Sequence, residues 1–271
     1  MRKDIAKFLD RIAFFISKIE KRIGKFQGKT RKEIARRNLE VILKRAVSEE
    51  EIESVFFYHT LYHLQLIFFP QVSGGENVIF EREEEEKRFY EKLEESGAIV
   101  ISGHIGFPEA LSLRVIRIGM RSIVLVENLK RKSEKVFFEN TRKKFGINLT
   151  TSLRQIVSEI NRGTRGKTFG FLVDRTIPGS KETFMFGERV KITDLPFRIS
   201  AKYNIPIFWI LVKRAAEKKA PPKPSELNWQ LKVSAKEIRS FDEMIYFLQE
   251  SIKENYLEWN PFFIYDFTFR K

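Results

Sequence analysis

Apolar positions recur along this chain with two different periods, and the change of period divides it. Between residues 4 and 26 they fall at Ile5, Phe8, Leu9, Ile12, Phe15, Ile16, Ile19, Ile23 and Phe26, tracing one helical stripe. Gln27-Gly28-Lys29-Thr30 breaks the stripe. Thr30 with Glu33 has the form of a capping box and predicts a second helix to about Arg45. Ser48 with Glu51 predicts a third, running to about Phe69 before Pro70. Val72-Ser73-Gly74-Gly75 reads as a loop, and residues 81–96 as an acidic helix closed by Gly97. Its charge run reads as a solvated face with ion pairs one turn apart.

From residue 98 the pattern alternates. Strand-like apolar runs cover 98–102, 122–126, 168–173 and 206–213, with helical stretches at 108–118, 131–145, 152–162 and 194–203. A βαβα series implies an α/β fold: a largely parallel central sheet flanked by helices, here preceded by N-terminal amphipathic helices. Residues 215–227 have loop composition, and a late strand at 229–233 and a helix at 240–256 follow. There is no internal repeat.

Composition narrows the function classes. The 271 residues are 42% apolar with 26 Phe, enough for a real core. The absence of cysteine excludes disulfides, thiolate zinc sites and Cys nucleophiles. Apolar runs such as 206–212 are too short to span a membrane, and no uninterrupted apolar stretch follows Arg2 and Lys3, so no cleavable signal peptide is expected. Net charge is +14, and residues 1–45 hold 15 Lys/Arg against 5 Asp/Glu. Such a balance favours an anionic membrane, nucleic acid or an acidic protein. No helix-turn-helix, zinc-finger or aromatic RNA-binding pattern is present, and most of the excess charge lies in the first helices, so nucleic acid is not the expected partner. The first helix, with bulky Phe and Ile against a cationic face, has two readings: it lies in a membrane interface or it docks on its own domain.

The chain has three histidines. His59 and His63 stand four apart on the third helix, without a following Glu or a nearby third ligand. Aromatic packing is the expected role, and no metal site is expected. His104 differs. It follows the run Ala98-Ile99-Val100-Ile101, and Pro108 then marks a helix start. His104 therefore sits in a strand-to-helix loop, where open α/β sheets bind ligands. Glu109 follows five residues later. An imidazole titrates near neutrality, and a carboxylate that holds its other nitrogen makes it a general base for a hydroxyl. The helix start offers free N–H groups for an oxyanion or phosphate. Ser102 lacks the setting of a nucleophile elbow.

The order of motifs resembles the bacterial lipid A biosynthesis (late, secondary) acyltransferases, within the lysophospholipid acyltransferase-like superfamily that shares H-x-x-x-x-D/E. Gly103-His104-Ile105-Gly106 is similar to that family's first motif, and Arg142-Lys143-Lys144-Phe145-Gly146 to its basic-Phe-Gly segment. Leu172-Val173-Asp174 resembles the strand ending in Asp. Phe186-Gly187 with Thr193, then Pro206-Ile207, resemble later segments, and the Arg31-Lys32 to Asn38-Leu39 helix an early one. The resemblance spans roughly residues 30–215.

It implies a glycerolipid acyltransferase-like fold and transfer of a fatty acyl chain from a thioester, on acyl carrier protein or coenzyme A, to a hydroxyl of a glycolipid such as a lipid A precursor. His104 would be the base and Glu109 its partner. Arg142 would bind an anionic group, with a plain surface cation as the other reading; Arg154 has the same two readings. Asp174 would line the site, or be an ordinary strand-end turn residue. No metal, cofactor or covalent intermediate is implied beyond the thioester. The implied division is a basic amphipathic membrane-associating helix at 1–28 and an acyltransferase domain at 29–271 with a helical cap at 29–97. The implied location is peripheral, on the cytoplasmic face of the bacterial inner membrane. Three departures bear on the acceptor and the anchor. Arg175 stands where the family usually has Gln, Phe262-Phe263-Ile264-Tyr265-Asp266-Phe267 replaces a segment with His and Arg, and the N-terminal membrane helix is only amphipathic. Another glycolipid or lysophospholipid acceptor, or a non-catalytic anionic lipid-binding protein, are the alternatives.

Overall fold

A mainly helical segment precedes a regular alternation of strands and helices, which begins at residue 98, in the computed structural model, which describes residues 8–9, 11–18, 25–26, 29–72, 77–127, 132–177, 179–215 and 230–262. Helix α1 is described at 8–9 and 11–18. A short hairpin, β1 (Lys25–Phe26) and β2 (Lys29–Thr30), leads into α2 (Arg31–Leu43) and α3 (Glu49–Val72). Strand β3 (Val78–Phe80) and α4 (Glu83–Ser96) follow. The alternating part comprises β4 (Ala98–Ser102), α5 (Glu109–Arg117), β5 (Arg121–Leu125), α6 (Lys132–Lys143), β6 (Asn148–Thr150), α7 (Leu153–Asn161) and β7 (Lys167–Leu172). It continues with a hairpin β8 (Lys181–Met185) and β9 (Glu188–Ile192), then α8 (Leu195–Tyr203), β10 (Ile207–Arg214), β11 (Leu231–Ile238) and α9 (Phe241–Glu254).

Seven strands form the central sheet in the order β3-β11-β10-β4-β7-β5-β6. Every neighbouring pair is parallel except β10 and β11. This is the largely parallel α/β sheet expected from the alternation. The residue types explain the order. β4 and β10 are apolar almost throughout and lie inside, covered by helices on both faces. β11 alternates, burying Leu231, Val233 and Ala235 and exposing Lys232 and Lys236.

Local signals set several boundaries. Ser48 and Glu51 form the reciprocal capping box, with Ser48 N–H donating to Glu51 at 2.9 Å and Glu51 N–H to the Ser48 hydroxyl at 3.2 Å. Gly97, at φ +75°, closes α4 by donating to the Leu93 carbonyl. Helix α3 runs to Val72, so Pro70 falls inside its last turn rather than beyond its end. Near a helix C-terminus the hydrogen bond that a proline lacks is among the last of the helix, so few others are disturbed. The sequence pattern missed β3, β6 and both hairpins. β3 and β6 have three residues each, too short for a period to register.

Helix α1 divides its expected stripe. Leu9 faces the body together with Ala13 and Ser17, all buried, while Phe8, Ile16 and Phe15 are exposed, the last at 68%. Ile5, Ile19 and Ile23, the loop at 73–75, most of 215–227 and residues 263–267 lie outside the described residues. Among the described residues, no helix is long and apolar enough to cross a membrane.

Candidate active site

The parallel register of β4 and β7 creates the site. Ser102 is paired with Leu172, and Val173 N–H donates to the Ser102 carbonyl at 2.9 Å. Two residues beyond each strand end, His104 and Asp174 therefore stand side by side. Asp174 Oδ1 lies 2.6 Å from His104 Nδ1, and Asp174 Oδ2 accepts the His104 backbone N–H at 2.6 Å. The Asp174 side chain is fully buried, whereas that of His104 keeps 19% of its surface open. The close approach requires Gly103, where an added Cβ would sit 3.1 Å from Asp174 Oδ2 and 3.1 Å from the Leu248 side chain.

The rest of the loop is pinned on its other side. Phe107 N–H donates to the Val212 carbonyl at 3.0 Å, Gly106 N–H to the Glu258 backbone carbonyl at 3.1 Å, and Asn260 N–H to the His104 carbonyl at 2.9 Å. Gly106 has φ +63°, and a Cβ there would come within 1.9 Å of the Val212 oxygen, so only glycine fits.

Glu109 opens α5, one residue after Pro108, but it does not hold the imidazole. Its Oε1 accepts from the Tyr62 hydroxyl at 2.9 Å and from Arg142 Nε and Nη2 at 3.1 and 3.0 Å. The turn at Gly106 sends Glu109 toward α3 and α6, whereas His104 points to the end of β7. The expected His104–Glu109 pairing is therefore replaced by His104–Asp174. Arg142, expected to bind an anion, is committed to Glu109 and packs over Phe138, 5.2 Å from the ring centre. Burial opposes the Arg142 charge, but Tyr62 and Glu109 outweigh it and hold the guanidinium firmly protonated. Burial first, and Glu109 second, push the Tyr62 phenol far above its usual range, with Arg142 opposing.

The helix start offers fewer donors than expected. Ala110 N–H is bonded to the Phe107 carbonyl and Leu111 N–H to that of Pro108. Ser102 is buried and its hydroxyl bonds the Gly103 carbonyl. Arg154 is exposed in the first turn of α7, which follows β6 at the far edge of the sheet, two strands from β7. It is not gathered with the others. His59 and His63 pack edge to face, 4.6 Å between ring centres, with Phe262 4.9 Å from His59 and Phe138 5.9 Å from His63. Among the described residues, no group of three or more His, Asp or Glu is placed to hold a metal ion.

Chemically, a carboxylate on Nδ1–H fixes the tautomer that leaves the Nε2 lone pair exposed and offsets the charge of the imidazolium. Nε2 has no hydrogen-bond partner among the described residues. The arrangement can therefore take a proton from a hydroxyl brought to the open side of the loop. Sequence reading missed Tyr62 as a partner of Glu109. Nothing in its own segment signals the link, because the two lie 47 residues apart.

No protein-family model matches the chain. No curated protein sequence matches it either. Among solved structures, the chain is similar to the 1-acyl-sn-glycerophosphate (LPA) acyltransferase PlsC from Thermotoga maritima, with 12% identity and a TM-score of 0.37 over 94% of this chain and 97% of that one.

Proposed function

We propose that the protein is an acyltransferase that moves a fatty acyl chain from an acyl thioester, on acyl carrier protein or coenzyme A, to a hydroxyl of a membrane glycolipid such as a lipid A precursor. The observation that supports this reading is His104, held through Nδ1 by buried Asp174 at the carboxyl ends of β4 and β7, with part of its side chain left open. The carboxyl edge of an open α/β sheet is where such folds bind ligands.

In the proposed reaction His104 Nε2 takes the acceptor proton as the hydroxyl oxygen attacks the thioester carbonyl. The tetrahedral intermediate collapses with loss of the thiolate, which receives that proton from the imidazolium. Asp174 holds the ring and balances its transient charge. A positioned base of this kind supplies about 10²–10⁴ in rate. Glu109, Arg142 and Tyr62 act one step back, fixing α5 against α3 and α6 so that the loop cannot drift.

The proposed working place is the anionic cytoplasmic face of the bacterial inner membrane. Exposed Phe8, Phe15 and Ile16 beside Lys18 give α1 the chemistry of an interfacial helix. An acyl transfer assay with purified protein tests the reaction. Both thioester donors are offered with a panel of glycolipid and lysophospholipid acceptors, and products are read by mass spectrometry for the native protein and His104→Ala. A product that disappears with the variant, while its circular dichroism is unchanged, is expected and names the acceptor. No product from any pair, with vesicle binding intact, would leave a lipid-binding protein without catalysis.

A further inference from the structure

A second polar group lies on the opposite side of the His104 loop from Asp174. β10 is parallel to β4 but runs farther, so Arg214, its last residue, comes up beside the loop at Gly106. Arg214 and Gln65 of α3, 6% and 3% exposed, line a cavity there with Tyr58, Gly106, Phe107 and Glu258. The cavity is small, with room for about one water-sized group, and it is partly open to solvent.

Three of these lining residues each hold a buried atom with no hydrogen-bond partner among the described residues: Arg214 Nη1, Gln65 Nε2 and Glu258 Oε1. In native folds such atoms are nearly always paired. Here the cation and the carboxylate are not bonded to each other, and the Arg214 guanidinium instead lies over the Tyr58 ring, 5.6 Å from its centre. Two donors and one acceptor converging on one small space define what fits. The group must accept from Arg214 and Gln65 and donate to Glu258. A phosphate or carboxylate satisfies the donors and is repelled by Glu258; an ammonium satisfies Glu258 and is repelled by Arg214. A hydroxyl oxygen does both, whether it belongs to water or to an alcohol that displaces the water.

We propose that this cavity is a headgroup subsite that takes a free hydroxyl of a sugar or polyol, with the alcohol oxygen accepting from Arg214 and Gln65 and its proton donated to Glu258. Because the cavity adjoins the His104 loop at the same edge of the sheet, it reads a hydroxyl of the acyl acceptor other than the one acylated. That last assignment rests on the proposed transfer reaction, whereas binding at the cavity does not.

The test compares binding of n-octyl-β-glucoside, below its micelle concentration, with its per-O-methylated analogue, which keeps the alkyl chain and loses every O–H. Titration is followed by NMR on the native protein, on Glu258→Gln, which keeps the shape and removes the charge, and on Arg214→Met. The native protein is expected to prefer the free glucoside by about tenfold or more, the scale of one hydrogen bond to a charged group. Glu258→Gln is expected to remove most of that preference. Binding with this pattern in a protein that shows no acyl transfer would keep the subsite and defeat the transfer reading. Equal affinity for the two glucosides means that the cavity takes only water, and a preference that survives both substitutions in folded protein means that the hydroxyl is read elsewhere; either overturns the proposal.

Discussion

Asp174 grips His104 twice, through Nδ1 and through the backbone N–H, both at 2.6 Å. One buried carboxylate thus fixes the ring's tautomer and the loop's position together. Asp174→Asn keeps the shape and the backbone contact but loses the charge opposite the imidazolium. The expected result is a fall in kcat for the proposed acyl transfer of about 10²–10⁴, with little change in KM or in melting temperature. A variant with unchanged kcat would remove Asp174 from the mechanism.

Glu109 and Arg142 form a buried pair, their side chains 7% and 15% exposed. Removing one member leaves the other charged and unpaired in the interior. Arg142→Met is therefore expected to cost about 3–5 kcal/mol in urea unfolding. Adding Glu109→Gln is expected to restore part of that loss, since the uncompensated charge is then gone. Equal destabilisation by the single and double variants would show that packing, not charge, decides this contact.

Gly106 holds a left-handed conformation against the Val212 carbonyl. Gly106→Ala must both strain the backbone and push the loop away from β10. The expected loss of stability is at least about 1–2 kcal/mol, measured by denaturant titration, with His104 displaced from Asp174 in the process. Gly119, also at positive φ but with no atom within 4 Å of an added Cβ, is expected to lose only the backbone part.

Glu51 ties four features together: the Ser48 cap, Arg45, the Tyr256 hydroxyl at 2.7 Å and the start of α3. Its hydrogen bond with Arg45 outweighs burial and, with Tyr256 and the Ser48 N–H, lowers its pKa from 4.5 to about 2. A carboxyl whose folded pKa is depressed contributes stability in full above its unfolded pKa and loses it as pH falls toward the folded value. Between about pH 4.5 and 2 the native protein is thus expected to lose this contribution. Glu51→Gln, less stable at neutral pH, is expected to show a flatter stability curve over that window. Identical slopes for the two proteins would contradict the linkage.

The exposed face of α1 carries the membrane proposal. Phe8→Ser with Phe15→Ser is expected to weaken sedimentation with phosphatidylglycerol vesicles by more than about tenfold, because each buried Phe contributes about 1.5–3 kcal/mol. Binding that persists in part at high salt in the native protein is expected to fall to near zero in the double variant. If salt alone abolishes binding in both, the helix acts only through its charge.

The sequence by itself determined the sheet's largely parallel character, most element positions from residue 98 onward, the capping box at Ser48 and Glu51, and His104 as a loop residue at a strand end. These are local matters. Period, caps and turn residues act over a few positions and need no knowledge of distant partners. The tertiary structure decided who meets whom. Asp174 is 70 residues from His104, and only the register of β4 against β7 makes them neighbours. Glu109 is five residues away and faces elsewhere, because the positive φ at Gly106 turns the chain between them. The same holds for Arg142 with Tyr62 and for Arg214 with Gln65 and Glu258, which β10, α3 and the turn after α9 bring to one edge of the sheet. A residue's type and spacing state what chemistry it can do, but strand order and register choose its partner, and with it the role.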